Sequence, residues 1–323
     1  MELLELRELS TSFKTERGMV KAVEGLSFQV KGGECIALVG ESGCGKSVTM
    51  QSVLRLYDEK KLVTYGGEIY YRNRDILGLP IQEMRKIRGG EIAMVFQDAL
   101  SSLDPVFTVE DQITESIRLH QGLSSRAARE EAAEMLRFAG INEPYRRLAQ
   151  YPFELSGGMR QRVMIAIALA CKPALLIADE PTNSLDVTIQ AQIMDLILNL
   201  NQKLNMAVIL ITHDLAIVAE TCSRVLVMYL GQIVEEAPVR DLFAHPRHPY
   251  TLALLKSIPT ITGERPDRLY SIKGSVPLLS QIPRGCRFAP RCPHAEGQCR
   301  KENPPLVPVT EIHKSRCWRT AIL

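Results

Sequence analysis

Residues 34–47 read Glu34-Cys35-Ile36-Ala37-Leu38-Val39-Gly40-Glu41-Ser42-Gly43-Cys44-Gly45-Lys46-Ser47. The first six form a short apolar run that reads as a buried strand, and residues 48–56 continue in a helical pattern. Between them stands GxxxxGK[ST], a phosphate-binding loop in its required strand, loop, helix context. Glycines at 40, 43 and 45 let backbone N–H groups curl around phosphate oxygens, and the helix N-terminus adds partial positive charge. In such a loop Lys46 reaches the β- and γ-phosphates and Ser47 ligates Mg²⁺, while Glu41, Ser42, Cys44 and Val48 complete the cradle.

Two further apolar runs end in residues with a use beside a phosphate. Residues 173–178 lead into Asp179-Glu180, which positions Asp179 to hold Mg²⁺ and Glu180 to polarise a water attacking the γ-phosphate. Alone, Asp179-Glu180-Pro181-Thr182 would read as well as a capped strand end. Residues 206–212 deliver His213 at their C-terminal end, where ligands sit in open α/β sheets. A lone histidine is usually structural, but three such ends together favour a γ-phosphate contact for His213.

The chain has 323 residues, 39 Lys or Arg and 37 Asp or Glu, so its net charge of +2 argues against a strongly basic nucleic-acid binder. That balance hides an asymmetry: residues 245–323 carry +8 and residues 1–244 carry −6. The same last segment holds 11 of the 18 prolines and four of the eight cysteines. The longest unbroken apolar run, residues 163–171, falls well short of the roughly 20 residues needed to span a membrane. The charged start MELLELREL does not read as a secretory signal, and the unpatterned cysteines 35, 44, 171 and 222 suit a reducing compartment. A cytoplasmic location follows as the expectation, with any membrane role exercised through a partner.

Between the phosphate loop and the carboxylate pair lies Leu155-Ser156-Gly157-Gly158-Met159-Arg160-Gln161-Arg162, opening an apolar helix from about residue 161 to 171. This closely resembles the LSGGQ signature of ATP-binding cassette proteins, with Ser156, Gly157, Gly158 and Met159 as the residues that meet ATP in trans. Gln97, after the apolar run 91–96, looks like the Q-loop glutamine, Ser184-Leu185-Asp186 like the D-loop, and Phe13 like the aromatic that stacks on adenine. The resemblance covers about residues 1–240. It implies an α/β fold of the P-loop NTPase, RecA-like type, with antiparallel β and α-helical subdomains, the helical one at about residues 99–168. It also implies catalysis by Glu180, His213, Gln97 and Lys46, with Mg²⁺ held by Ser47, Gln97 and Asp179. In this family the signature of one cassette closes over the phosphate loop of another, so a second ATPase subunit is implied.

The signature ending Met-Arg-Gln-Arg-Val, the run Asp186-Val187-Thr188-Ile189-Gln190, and a tail containing His248-Pro249-Tyr250-Thr251-Leu252 and Pro283-Arg284-Gly285-Cys286 point to one branch. They resemble dipeptide and oligopeptide importer ATPases, implying residues 1–244 as nucleotide-binding domain and 245–323 as a family-specific extension. The implied partners are a homologous ATPase forming a heterodimer with this chain, two membrane permeases and, indirectly, an extracytoplasmic solute-binding protein, at the cytoplasmic face of the membrane. A nickel or other small-solute importer is the alternative cargo class. Asn183-Ser184 and Ala237 depart from the usual residues, both at turns.

Cys286, Cys292, Cys299 and Cys317 lie in proline-rich chain with little else to build a core, which favours one staple over four separate thiols. The resemblance supports a [4Fe-4S] cluster, with Zn²⁺ and free thiols or a disulfide as alternatives; the spacing lacks the C-x₂₋₄-C knuckle of structural zinc sites. A negative cluster would give Arg284, Arg287, Arg291 and Arg300 a local role; a solvated basic surface or an anionic leaflet are the other readings. A translation factor of this superfamily would carry two cassettes, and a DNA-repair ATPase a long coiled coil. Neither fits one phosphate loop set about 110 residues before one signature.

Overall fold

The computed structural model describes residues 2–16, 18–183, 185–258 and 270–320; Ser184 of the D-loop lies outside them. Two units divide the chain, the first from residues 1–3, 30–35 and 78–211, the second from 4–29, 36–77 and 212–323. The compositional step at residue 245 is therefore not a step in the packing.

In the first unit, strand Leu175–Asp179 lies parallel between Ile92–Val95 and Ala207–Thr212, with Ile92 opposite Leu175 and Asp179 opposite Ile211. Leu175–Asp179 and Ala207–Thr212 are buried throughout, as expected of continuous apolar runs covered on both faces. Helices Val109–Gln121, Ser125–Phe138 and Gly157–Leu169 build a separate apolar core from Leu103, Ile113, Ile117, Ala132, Leu136, Val163 and Ala166. The second of these follows its amphipathic pattern, burying Ala128, Ala132, Met135 and Leu136 along one face. Thr108 opens the first with a capping box to Asp111, and Gly122 closes it in a left-handed turn.

In the second unit, Glu2–Thr15 pairs antiparallel with Val63–Tyr71, from Leu4 opposite Tyr71 to Phe13 opposite Val63. The strand Cys35–Val39 runs parallel to Arg224–Tyr229, Ile36 facing Arg224 and Val39 facing Val227. Gln232–Pro238 pairs antiparallel with Arg224–Tyr229, and the tail extends this order through Lys314–Ser315 and then Val307–Pro308. Tyr229, Tyr250 and Phe288 pack at ring-centroid distances of 4.7 to 5.3 Å, all fully buried, joining strand and tail in one core.

Candidate nucleotide site

The phosphate loop is positioned within the second unit. Its helix spans Lys46–Val53, beginning two residues earlier than the pattern suggests and ending where Arg55 turns left-handed at φ 49°. Gly40 stands at φ 154°, and a Cβ there would lie 2.2 Å from the Met228 carbonyl oxygen, so the loop packs backbone to backbone against the neighbouring strand end. The Gly231 N–H donates to the Cys44 carbonyl at 2.7 Å, a second clasp on the same strand pair. Lys46 is buried, and its Nζ donates to Gly40 O at 2.7 Å and Glu41 O at 3.1 Å. The ammonium is thereby held over the loop's own backbone, where a β- or γ-phosphate would meet it. Burial pushes the Cys44 thiol up, so this cysteine is inert packing within the cradle.

Phe13 is half-buried, with the Tyr57 ring edge-on to it at 4.8 Å. His213 is exposed, one residue beyond the strand Ala207–Thr212, and Asp214 caps the following helix by accepting from Ala216 and Ile217 N–H.

The first unit positions the carboxylates. Asp179 is buried at the end of its strand, and Glu180 follows in a left-handed backbone conformation at φ 46°, unusual for a residue with a side chain. The Glu180 N–H donates to Ile211 O at 2.9 Å, fixing this turn against the adjacent strand. Gln97 Nε2 donates to Glu180 Oε2 at 2.8 Å, so two residues 83 apart in sequence share one hydrogen bond. A glutamate orienting a water and an amide orienting that glutamate form an arrangement suited to hydrolysis.

The signature helix begins at Gly157, four residues earlier than its apolar pattern suggests, because Ser156 is its N-cap and accepts from Met159 N–H at 3.4 Å. Sequence reasoning missed Gln161: buried, it donates from Nε2 to Pro181 O at 2.6 Å and ties this helix to the turn after Glu180. Its only sequence signal is its place directly after the signature. Asp186 of the D-loop caps the helix Val187–Leu204 by accepting from Ile189 N–H, and Leu185 N–H donates to Thr182 O.

Also missed were Tyr250 and Arg291, tail residues that touch Glu41 of the phosphate loop. Two of the four tail arginines singled out in the sequence have carboxylate partners. Arg287 is buried against Glu24 and Leu230 O, and Arg291 forks onto Glu41.

No disulfide joins any of the eight cysteines. Cys286, Cys292, Cys299 and Cys317 line one cavity together with His248, Phe288, His294, Pro304, Trp318 and Arg319. Burial pushes the thiols of Cys286, Cys292 and Cys317 up, with the neighbouring cysteines adding in the same direction. Among the described residues no three His, Cys, Asp or Glu side chains form a group that would hold a metal ion. No helix among them is long and apolar enough to cross a membrane.

Comparison with known proteins identifies the family. The ABC transporter family model matches residues 23–183, and the oligopeptide/dipeptide transporter C-terminal region model matches residues 234–299. The "Probable peptide ABC transporter ATP-binding protein y4tR" of Sinorhizobium fredii is 53% identical over 98% of this chain and 95% of its own length. The oligopeptide transport ATP-binding protein AppD of Bacillus subtilis is 48% identical, covering 98% of this chain and 96% of its own. Among solved structures, the ATP-binding cassette MJ0796, as a dimer in a post-hydrolysis state bound to ADP and Pi, aligns with a TM-score of 0.66. It is 30% identical and covers 74% of this chain and 99% of its own. This chain belongs to the ABC transporter family, as an ATP-binding, ATP-hydrolysing subunit of the peptide-import type.

Proposed function

We propose that the chain works at the cytoplasmic face of the membrane as one of two ATPase subunits, a homologous chain being the other, bound to two permeases fed by a solute-binding protein. Its nucleotide-binding body is residues 1–244, with a helical subdomain at about 99–168, and residues 245–323 form the extension. Phe13 stacks on adenine, residues 40–48 cradle the phosphates, and Ser47, Gln97 and Asp179 hold Mg²⁺. Glu180 is the base and His213 contacts the γ-phosphate; Ser156, Gly157, Gly158 and Met159, with the D-loop at 184–186, serve the partner's nucleotide. The observation that carries this reading is the hydrogen bond from Gln97 to Glu180, which joins the Q-loop to the proposed base. Reconstituted with its permeases, solute-binding protein and partner ATPase, the chain should drive peptide uptake that stops with Glu180→Gln. Uptake unchanged by that substitution would remove Glu180 from the mechanism.

The four tail cysteines fit an iron–sulfur cluster in donor chemistry. The four line one cavity, as the ligands of a cluster would with each thiolate meeting its own iron, although among the described residues no three such side chains form a group that would hold a metal ion. When bound, the cluster would supply a structural cross-link among Cys286, Cys292, Cys299 and Cys317. Anaerobic purification should give protein with bound iron, labile sulfide and a visible charge-transfer band. Colourless protein with stoichiometric zinc would overturn this assignment.

A further inference from the structure

We propose that the C-terminal extension sets the phosphate loop, with Arg291 and Tyr250 as positioning residues for nucleotide binding. This rests on residues 40–47 being the phosphate loop, and it goes beyond that reading by assigning the loop's geometry to residues more than 200 positions away.

Glu41 is the first variable residue of the loop and brings a carboxylate next to a site that must receive a polyphosphate. It is held at three points. Arg291 takes its carboxylate in a fork, Nη1 to Oε2 at 2.6 Å and Nη2 to Oε1 at 3.0 Å. Its backbone N–H donates to the Tyr250 hydroxyl at 2.8 Å, and its carbonyl accepts from Lys46 Nζ at 3.1 Å. One residue thus connects the tail, through side chain and backbone, to the lysine that meets the phosphates.

The anchor is itself fixed. The Arg291 side chain is only 4% exposed, and its Nε donates to Lys273 O at 3.1 Å while Nη2 reaches Gly274 O at 3.3 Å. Its guanidinium lies over the Tyr229 and Phe288 rings at 5.9 and 6.0 Å. Tyr250 is fully buried against those same rings. Arg291 also directly precedes Cys292, so whatever orders the cysteine segment orders the anchor. A planar fork on a carboxylate fixes direction as well as charge, which an ammonium would not do.

Two consequences follow. Arg291 neutralises a negative charge that would otherwise repel the incoming phosphates, and with Tyr250 it fixes the peptide that carries Lys46. The test measures dissociation constants of the full-length protein for a fluorescent ATP analogue with Mg²⁺, alongside steady-state ATP hydrolysis in the assembled transporter. Arg291→Gln should weaken binding about tenfold by unmasking Glu41, raising KM for ATP while kcat at saturation stays within about twofold. Adding Glu41→Gln should recover affinity to within about threefold of wild type, because the repelling charge is gone. Tyr250→Phe should weaken binding about threefold through loss of one buried hydrogen bond.

Binding by Arg291→Gln within twofold of wild type overturns the proposal, as does a double variant no better than the single one, which would mark Arg291 as packing alone. Lys46→Ala separates the underlying reading: if it binds like wild type, the loop assignment falls and the proposal falls with it. Should Arg291→Gln not fold, Arg291→Lys carries the same test, with an affinity loss smaller than tenfold that Glu41→Gln again reverses.

Discussion

Gly40 and Gly43 sit three positions apart in one loop, both at positive φ, yet only one is packed. A Cβ on Gly40 would lie 2.2 Å from Met228 O and 2.9 Å from Cys44 Sγ, at φ 154°; a Cβ on Gly43, at φ 77°, would meet nothing within 4 Å. Gly43→Ala therefore carries only the backbone cost of a side chain in the left-handed region, about 1–2 kcal/mol. Gly40→Ala carries a comparable cost and adds an overlap with a backbone carbonyl that cannot rotate away. The strand end at Met228 or the loop must shift by roughly 1 Å, an overpacking cost of about 1–3 kcal/mol. The totals are about 1–2 against about 2–5 kcal/mol, a difference of about 1–3 kcal/mol set by the overlap. At about 2–4 °C per kcal/mol, Gly40→Ala should melt roughly 2–12 °C below Gly43→Ala. Calorimetry of the two full-length variants, without nucleotide, isolates this packing cost from any effect on phosphate binding. Melting temperatures within 2 °C of each other would refute the backbone contact as the reason for glycine at position 40.

Three further outcomes are expected. Glu180→Gln keeps a side-chain oxygen that can accept from Gln97, so ATP affinity should hold while turnover falls about 10²–10⁴-fold; turnover within tenfold of wild type would remove Glu180 as the base. Burial drives the His248 pKa down to about 3, and its Nδ1 accepts from Tyr250 N–H at 3.1 Å, so the fold holds a neutral imidazole. Between the unfolded value of 6.5 and about 3, the unfolded chain binds the extra proton, so stability should fall as pH falls, by about 1.4 kcal/mol per pH unit. His248→Asn, which can still cap the helix, should flatten that slope in denaturant titrations; an unchanged slope would assign it elsewhere. A chain cut after residue 244 should aggregate, because the buried Glu235 side chain would lose its bonds from Arg247 N–H and His248 N–H and its contact with His313 Nε2; a soluble, ATP-binding truncation would contradict this.

What was legible in the sequence depended on how locally its chemistry is encoded. The strand, loop and helix around Lys46 are contiguous, and the types GxxxxGK[ST] leave few alternatives, so both element and role could be read directly. Helix starts were read late at Lys46 and Gly157, because caps and first turns are polar while the apolar pattern begins further in. The bond between Gln97 and Glu180 spans 83 residues and is not legible in the sequence, where Gln97 stands out only through family resemblance. The Arg291 fork on Glu41 spans 250 residues and left no trace in periodicity or spacing, since any of the 39 basic side chains could have been the partner. Cysteine spacing singled out four residues that do line one cavity, but spacing carries no information on whether their sulfurs converge.

The charge asymmetry seen in composition has a structural counterpart in the second unit. Arg287 meets Glu24, Arg291 meets Glu41, His313 meets Glu235, and Lys314 meets Glu236, each pairing a tail residue with a carboxylate from before residue 245. Lys314 is 47% exposed and its pair contributes little, but the side chains of Arg287, Arg291 and His313 are each 5% exposed or less. Breaking such a pair leaves a charge without its partner, whereas forming it selects one docking register for an extension with little apolar material of its own. The basic tail and acidic body are thus two halves of one electrostatic fit. Two of its buried contacts, at Glu41 and Glu235, fall on the phosphate loop and on the strand that the tail extends. An extension docked in this way is placed to affect nucleotide handling whenever its own fold is disturbed, as by protonation of His248.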